Sequence, residues 1–217
     1  MDKVMIKRVG MSFFGVIVGA ISVGIFKTAA LGVDPFQSFM AGLDQLVPIS
    51  FGTLYVIANV ILLSFALITD RHYIGIATFI NMFLVGYVTQ FTYGLLQKVV
   101  INPSMVVRFL LLVLAVVIIC FASAFYITAD LGVSTYDAVA LVLANKYKIG
   151  KFKYIRIVTD LVCIVIGIIL FLIGEGVPSM IPTFVGVGTI ITAFFMGPLI
   201  DFFNEKCAKP FLNGKDK

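Results

Sequence analysis

The chain has 217 residues, of which 61% are hydrophobic and only 12% are charged, with a formal net charge of +5. A soluble domain carries about 25% charged residues, and the mean hydropathy of +1.12 likewise excludes a soluble enzyme, a nucleic-acid-binding domain and a disordered protein. One membrane-spanning helix needs about 20 apolar residues, so the hydrophobic residues suffice for about six. We therefore predict an all-α polytopic membrane protein that lies in the lipid bilayer and binds no nucleic acid.

Long uncharged segments predict six membrane-spanning helices, at 8–29, 51–69, 73–97, 106–129, 153–173 and 179–203. Two further apolar segments, 34–46 and 134–146, would be about 20 Å long as helices. Because the hydrocarbon core is about 30 Å thick, these segments are predicted to be re-entrant half-helices or helices at the membrane interface. The tail 206–217 is polar and basic, and we expect it to be mobile and cytoplasmic.

The distribution of Lys and Arg predicts the orientation of the chain. With six crossings and a cytoplasmic N-terminus, 13 of the 16 Lys and Arg residues face the cytoplasm, as the positive-inside rule requires. If the two short segments also cross, the protein has eight spans and the split becomes 14 to 2. The charges do not separate these topologies, whereas segment length favours six spans with both termini in the cytoplasm.

The sequence contains an internal duplication, with one copy in residues 1–100 and the other in residues 101–205. The matching stretches are Leu-Gly-Val at 31–33 and at 131–133, and Gly75–Gly86 with Gly186–Gly197. Since three crossings per copy is an odd number, the second copy is predicted to be inverted, which is a recurring design of transporters. Four crossings per copy would instead make the two repeats parallel.

Each copy begins its short segment with a helix-capping sequence. Asp34 suits an N-cap, Pro35 suits the first helical position, and Gln37 is the third helical residue. Ser134 is a second cap, with Asp137 three residues later. Because N–H groups at helix starts bind polar or anionic groups, these caps are candidates for binding a substrate. The alternative is that they only cap their own helices.

Four other polar residues lie in or beside the apolar segments. Intramembrane polar residues are costly and usually face the bundle interior or a pathway. The further candidates for substrate binding are therefore Asn59, Asn81, Asp130 and Asp160. Arg156 lies four residues before Asp160, so the two are predicted to pair along one helix face. The alternative role for Asp160 is that this ion pair is only structural.

The sequence offers no catalytic or metal-binding pattern. It has no Walker loop, G-x-G-x-x-G turn or G-x-S-x-G elbow, and its single histidine, His72, lies in a polar break. We therefore predict no enzymatic activity, no metal and no cofactor. Gly15 and Gly19 form a close-packing face, which we assign to another helix of the same bundle, while the oligomeric state is left open.

Four short stretches carry a family resemblance, namely Leu31–Pro35, Ser50–Thr53, Gly75–Asn81 and Gly186–Thr189. They resemble the YczE/YyaS/YitT group of bacterial integral membrane proteins, and the resemblance covers nearly the whole chain. It implies the bacterial cytoplasmic membrane and a suspected transport function. A vitamin-like solute follows only from regulators that neighbour some members. Gln37 replaces an acid common in the family, and Asp160 replaces a glutamate.

The duplication and the paired capped starts predict a secondary transporter or permease. Its solute would be small and polar or anionic, and would bind near the half-helix starts, where the two copies meet. Two alternatives stay open at the sequence level. One is a substrate-binding membrane subunit of a larger energised uptake complex, and the other is a membrane scaffold or regulator that transports nothing.

Overall fold

The computed structural model describes residues 3–150 and 152–214 as helices joined by short turns. Residues 1–2, at the start of the first copy, and Lys151, Lys215 and Lys217, which were predicted to be cytoplasmic, lie outside the described residues. The helices within the described ranges are α1 Lys3–Ala29, α2 Pro35–Leu46, α3 Phe51–Thr69, α4 Ile76–Val99, α5 Met105–Ala129, α6 Thr135–Asn145, α7 Phe152–Ile173, α8 Ile181–Phe184, α9 Val187–Phe203 and α10 Lys209–Asn213.

Six segments of the described chain are long and apolar enough to cross a membrane. They are Val4–Ala29, Phe51–Thr69, Ile76–Val99, Met105–Ala129, Tyr154–Ile173 and Pro178–Asn213. The prediction of an all-helical chain with six membrane helices is confirmed at this level, and α2 and α6 coincide with the two predicted short helices.

The first helix, α1, packs along both α4 and α5. A Cβ atom on Gly15 would lie 2.7 Å from the carbonyl oxygen of Ala122 on α5, and one on Gly24 would lie 2.7 Å from Thr92 on α4. Glycine is therefore needed where the neighbouring helices approach most closely. The predicted packing face of Gly15 and Gly19 is confirmed as a contact within the bundle.

The chain breaks twice between a long helix and a short one, with the same backbone geometry. Ala30 and Asp130 each have a φ of 52°, and Gly32 and Gly132 have φ of 104° and 108°. A side chain is strained at these last two angles, which glycine adopts freely. The two copies of Leu-Gly-Val therefore form matching bends, one before α2 and one before α6.

Each bend rests on the start of a long helix from the other half of the chain. The Leu31 carbonyl accepts a hydrogen bond from the N–H of Gly188 at the start of α9 (2.6 Å). The Leu131 carbonyl accepts one from the N–H of Ala77 at the start of α4 (3.0 Å). Backbone groups that the bends remove from the helices thus regain partners, and each half completes the bend of the other.

The predicted helix 179–203 is wrong as one continuous element. The chain turns at Pro178–Met180, forms the single turn of α8, and begins α9 only at Val187. Gly186 between them is extended, with a φ of −154°, and its N–H donates to Thr189 Oγ1 at 3.2 Å. The interruption exposes the first N–H groups of α9, and Gly188 uses its own for the bend at Leu31.

The described part of the tail also differs from its prediction. Residues Asn204–Ala208 continue α9 as one wider helical turn, and α10 follows. Lys7 Nζ donates to the carbonyl of Leu212 at 3.1 Å, and the rings of Phe211 and Phe125 lie 5.6 Å apart. These contacts hold α10 against α1 and α5, so this part is a packed end of the bundle rather than a mobile segment.

Candidate functional site

A cavity of about 330 Å³ lies between α1 and the starts of α2 and α6. Ligand cavities run from about 300 to 1,000 Å³, so this one has the size for a small solute. Six of the eight candidate residues from the sequence line it, namely Asp34, Gln37, Asn59, Asn81, Ser134 and Asp137. Candidates from both sequence copies therefore meet at one cavity.

The two predicted helix caps are confirmed, and both lie at the cavity. Asp34 Oδ1 accepts a hydrogen bond from the N–H of Gln37 (3.1 Å), and Ser134 Oγ accepts one from the N–H of Asp137 (3.1 Å). Phe36 and Tyr136 are the second residues of α2 and α6, and their rings stack at a centroid distance of 5.1 Å. The short helices thus begin against each other.

Arg156 on α7 is the centre of an ion-pair network beside the start of α6. Its Nε lies 3.2 Å from Asp160 Oδ1, which confirms the predicted pair, and its Nη1 pairs with Asp137. Tyr136 donates its hydroxyl to Asp160 Oδ1 at 2.7 Å, and the guanidinium lies over the Tyr136 ring at 4.4 Å. One guanidinium is therefore shared by two carboxylates and offsets part of the cost of holding both inside the bundle.

Asn59 links α3 to the start of α6. Its side chain is only 1% exposed. Its Nδ2 donates to the Tyr55 carbonyl at 2.7 Å, and its Oδ1 accepts from Thr135 Oγ1. A buried amide needs such partners to offset its desolvation, so part of the role of Asn59 is to fix the position of α6.

Gln37 is also buried, at 6% exposure, but its amide oxygen has no hydrogen-bond partner in the described chain. The hydroxyl of Tyr126 on α5 likewise has none. Both side chains line the cavity. A buried polar atom without a partner is destabilising by about 1–3 kcal/mol, so these two groups are available to a bound molecule.

Asp34 lies in the turn before α2, outside the membrane-spanning helices. Burial raises the pKa of its carboxyl to about 6, and the hydrogen bond from the Gln37 N–H offsets part of this rise. Among the described residues, the ion pairs engage Asp130, Asp137, Asp160 and Glu205, and none includes Asp34. Asp34 is therefore a carboxyl on the cavity wall that makes no ion pair, although the charge of Arg156 acts on it from a distance and lowers its pKa.

Two candidates do not line the cavity. Asp160 lies one contact away, behind Tyr136 and Arg156. Asp130 ends α5 in a left-handed conformation, its side chain is 86% exposed, and it pairs with Arg8 at 3.6 Å. The structure thus separates Asp130 from the other seven candidates. Among the described residues, no three His, Cys, Asp or Glu side chains are arranged to hold a metal ion.

Sequence reasoning missed the aromatic part of the cavity wall, which consists of Phe36, Tyr55, Tyr126 and Tyr136. The first and last of these occupy matching positions in the two copies and follow the caps directly, and this signal is readable in the sequence. The two middle residues lie in apolar helices with no distinguishing pattern. Arg156, which also lines the cavity, was recognised only as the partner of Asp160.

The helices and the cavity together define a polytopic helical membrane protein with a polar centre. The chain belongs to a family of unknown function, DUF6198, whose model matches residues 6–205. It is also 26% identical over 204 residues to the uncharacterized membrane protein YczE of Bacillus subtilis (strain 168), a match that covers 93% of this chain and 87% of that protein. The resemblance to a YczE-like membrane family is thereby confirmed. No solved structure matches the chain.

Proposed function

We propose that the protein is a secondary transporter or permease that binds a small polar solute in the central cavity. The observation that carries the proposal is that the capped starts of α2 and α6, one from each sequence copy, meet at this cavity. Several transporter folds bind substrate at discontinuous helices where two repeats meet. Polar side chains inside a membrane protein are costly, and they commonly mark a substrate pathway.

We further propose that α2 and α6 are re-entrant and that the two copies are inverted. Both short helices begin at the cavity, but they run to opposite ends of α7. At the end of α2, Gln45 Nε2 donates to the carbonyl of Gly174, just after α7 (3.1 Å). At the end of α6, Ala144 belongs to one buried cluster with Ile155, which lies in the first turn of α7. This opposition supports inverted repeats over parallel ones.

Uptake by the purified full chain in proteoliposomes tests the proposed function. The solutes are a panel of labelled amines, amino acids, organic acids and vitamins, each with and without a proton or sodium gradient. We expect uptake of at least one of them, and its loss in Asp137→Asn, which removes a charge from the cavity wall. Asp130→Asn is the matched control, because Asp130 is exposed and outside the cavity, and it should transport normally.

Three outcomes would overturn this function. If no solute of the panel is transported and none raises the melting temperature, the cavity is not a solute site. Co-purification with an ATPase partner, together with uptake only in its presence, would indicate the substrate-binding subunit of an energised complex. If Asp137→Asn and Asp160→Asn both leave the cellular role of the protein intact, a scaffold or regulator is indicated.

A further inference from the structure

The charges on the cavity wall do not balance. Asp34 and Asp137 line the cavity, and Arg156 is the one basic side chain on the lining. Asp160 lies behind Tyr136 and Arg156, which it contacts. Three carboxylates therefore face a single guanidinium. Two negative charges are thus left over, and since a buried charge is expensive without a partner of opposite sign, this wall is suited to receive further positive charge.

The features that would attract an anion are already in use. Arg156 pairs with Asp137 and with Asp160, and its guanidinium face lies on the ring of Tyr136. One early N–H group of each short helix is occupied as well, since Asp34 accepts a hydrogen bond from Gln37 and Ser134 accepts one from Asp137. An anionic solute would have to displace these partners, and it would be placed against a surplus of carboxylates.

The unpartnered and aromatic groups of the wall also match a cation. The amide oxygen of Gln37 is a buried acceptor without a donor, and an N–H group of a solute would satisfy it. Phe36 packs edge-on against Tyr55 (5.8 Å) and stacks on Tyr136, with Tyr126 on the same cavity. Ring faces attract cations, and grouped aromatics bind organic ammonium ions. Arg156 on Tyr136 already shows this contact at the site.

Resting on the proposed function, we propose that the transported solute is a small organic cation bound between the Asp34 carboxylate, the Gln37 amide oxygen and the aromatic wall of the cavity. The ammonium charge forms the ion pair that Asp34 does not make within the described chain. The aromatic rings contact the carbon-bearing part of the solute, which distinguishes it from a hydrated metal ion. The cavity, about 330 Å³, has room for compact amines and quaternary ammonium ions, and a solute with an N–H group can also donate to the Gln37 amide oxygen.

Ligand-induced stabilisation of the purified full chain tests the solute class. The probes are the chlorides of tetramethylammonium, choline and ethylammonium, with sodium glutamate as the anion and mannitol as the neutral solute, all at equal ionic strength. We expect at least one ammonium probe to raise the melting temperature with saturation, while glutamate and mannitol do not. If the anion or the neutral solute stabilises the protein instead, or if no ammonium probe does, the cation assignment is wrong.

The contribution of Asp34 is tested with Asp34→Asn, since asparagine retains an N-cap acceptor for α2 but not the charge. We expect the dissociation constant of the ammonium probe that binds to rise at least tenfold. Circular dichroism should show that the fold is unchanged. Gln37→Leu should weaken the binding of ethylammonium, whose N–H groups can donate to the Gln37 oxygen, by a smaller factor. Asp130→Asn is again the matched control and should bind as the wild type does. Equal affinity in Asp34→Asn and the wild type would overturn the proposal.

The two proposals fail in different ways. If an ammonium probe binds through Asp34 but never enters proteoliposomes, the cation site stands and the transport function is wrong. If proteoliposomes take up an anion or a neutral solute through Asp137, the transport function stands and the cation assignment is wrong.

Discussion

At the scale of single residues, the centre of the molecule depends on one guanidinium. Arg156 makes ion pairs with Asp160, four residues later on its own helix, and with Asp137, the third residue of α6. It therefore fixes α6 to α7 electrostatically. The amide of Asn59 fixes the same helix start to α3 through Thr135, so the start of α6 is held from two sides by polar contacts.

Replacing Arg156 with glutamine should destabilise the protein, because Asp137 and Asp160 would remain inside the bundle without a cation. Breaking a buried pair is destabilising by about 3–5 kcal/mol, and with a third of this side chain exposed we expect roughly 1–3 kcal/mol after solvent screening. Unfolding by denaturant in detergent measures it. Arg71→Gln removes a charge from an exposed turn and is the control, and an equal loss in both variants would contradict the role of Arg156.

The affinity for a quaternary ammonium probe should depend on pH through Asp34. Its carboxyl has a pKa of about 6, so it is ionised and attractive above that pH and neutral below it. We expect binding to be about tenfold weaker at pH 5 than at pH 7, measured with a probe whose own charge does not titrate. The other charged or titratable groups around Asp34 are Asp137, Arg156, Asp160, Cys163, Tyr55, Tyr126 and Tyr136.

Two of these neighbours, Asp137 and Asp160, are acids that pair with Arg156, whereas Asp34 makes no ion pair. The variant Asp34→Asn separates the contributions, because it should bind weakly and equally at both pH values. A pH dependence that survives in Asp34→Asn would show that another group carries it.

At the scale of elements, the two bends decide where the half-helices begin. Gly32 and Gly132 have φ near +105°, and a Cβ on either would approach the N-cap of the helix that supports the bend. Those contacts would be 2.6 Å to the nitrogen of Gly186 and 2.5 Å to that of Gly75. The backbones of a bend and a cap thus touch directly, and no larger residue fits between them.

Alanine at Gly132 should therefore destabilise the protein by about 1–3 kcal/mol, from backbone strain and from the clash with Gly75. Gly32→Ala should behave alike, since its surroundings are equivalent. Gly94→Ala is the control, because a Cβ on this helical glycine meets no atom within 4 Å and alanine favours the helix by about 0.5–1 kcal/mol. Thermal unfolding of the three variants measures the difference. A neutral Gly132→Ala would show that the bend is flexible.

Much of this architecture is readable in the sequence, for identifiable reasons. The long helices follow from apolar length, and the starts of α2 and α6 follow from Asp34 and Ser134, because capping is a local interaction. The interruption before α9 was missed although Gly186 and Thr189 match the cap that Gly75 and Thr78 form at the start of α4. Its contact with the bend at Leu31, about 150 residues away along the chain, leaves no local signal in the sequence. Tyr55 and Tyr126 were missed for the same reason, as their role comes only from packing around the cavity.

At the scale of the whole molecule, the charge distribution and the short lengths of α2 and α6 together favour one membrane topology. We propose six spans in the bacterial cytoplasmic membrane, with both termini in the cytoplasm. The connection between α4 and α5 then lies outside, and the connection between α6 and α7 lies inside. In the eight-span alternative, the connection between α4 and α5 is cytoplasmic instead.

Cysteine labelling in intact cells distinguishes these topologies. In a background without Cys120, Cys163 and Cys207, we expect Ile101→Cys to react with an impermeant maleimide and Ile149→Cys to react only after the membrane is opened. Both side chains are well exposed, at 75% and 66%, so accessibility from one side is the deciding factor. Protection of Ile101→Cys in intact cells would favour eight spans.

Because the bend before α2 is completed by the second half of the chain, the order of synthesis limits when this bend can fold. The N–H of Gly32 donates to the carbonyl of Thr183, so its partner is synthesised 151 residues later, counted from 32 to 183. During translation, the backbone groups of this bend therefore lack these hydrogen-bond partners until most of the chain has been synthesised. Two separately expressed halves, divided near residue 102, should therefore each be degraded alone and become stable only when they are produced together.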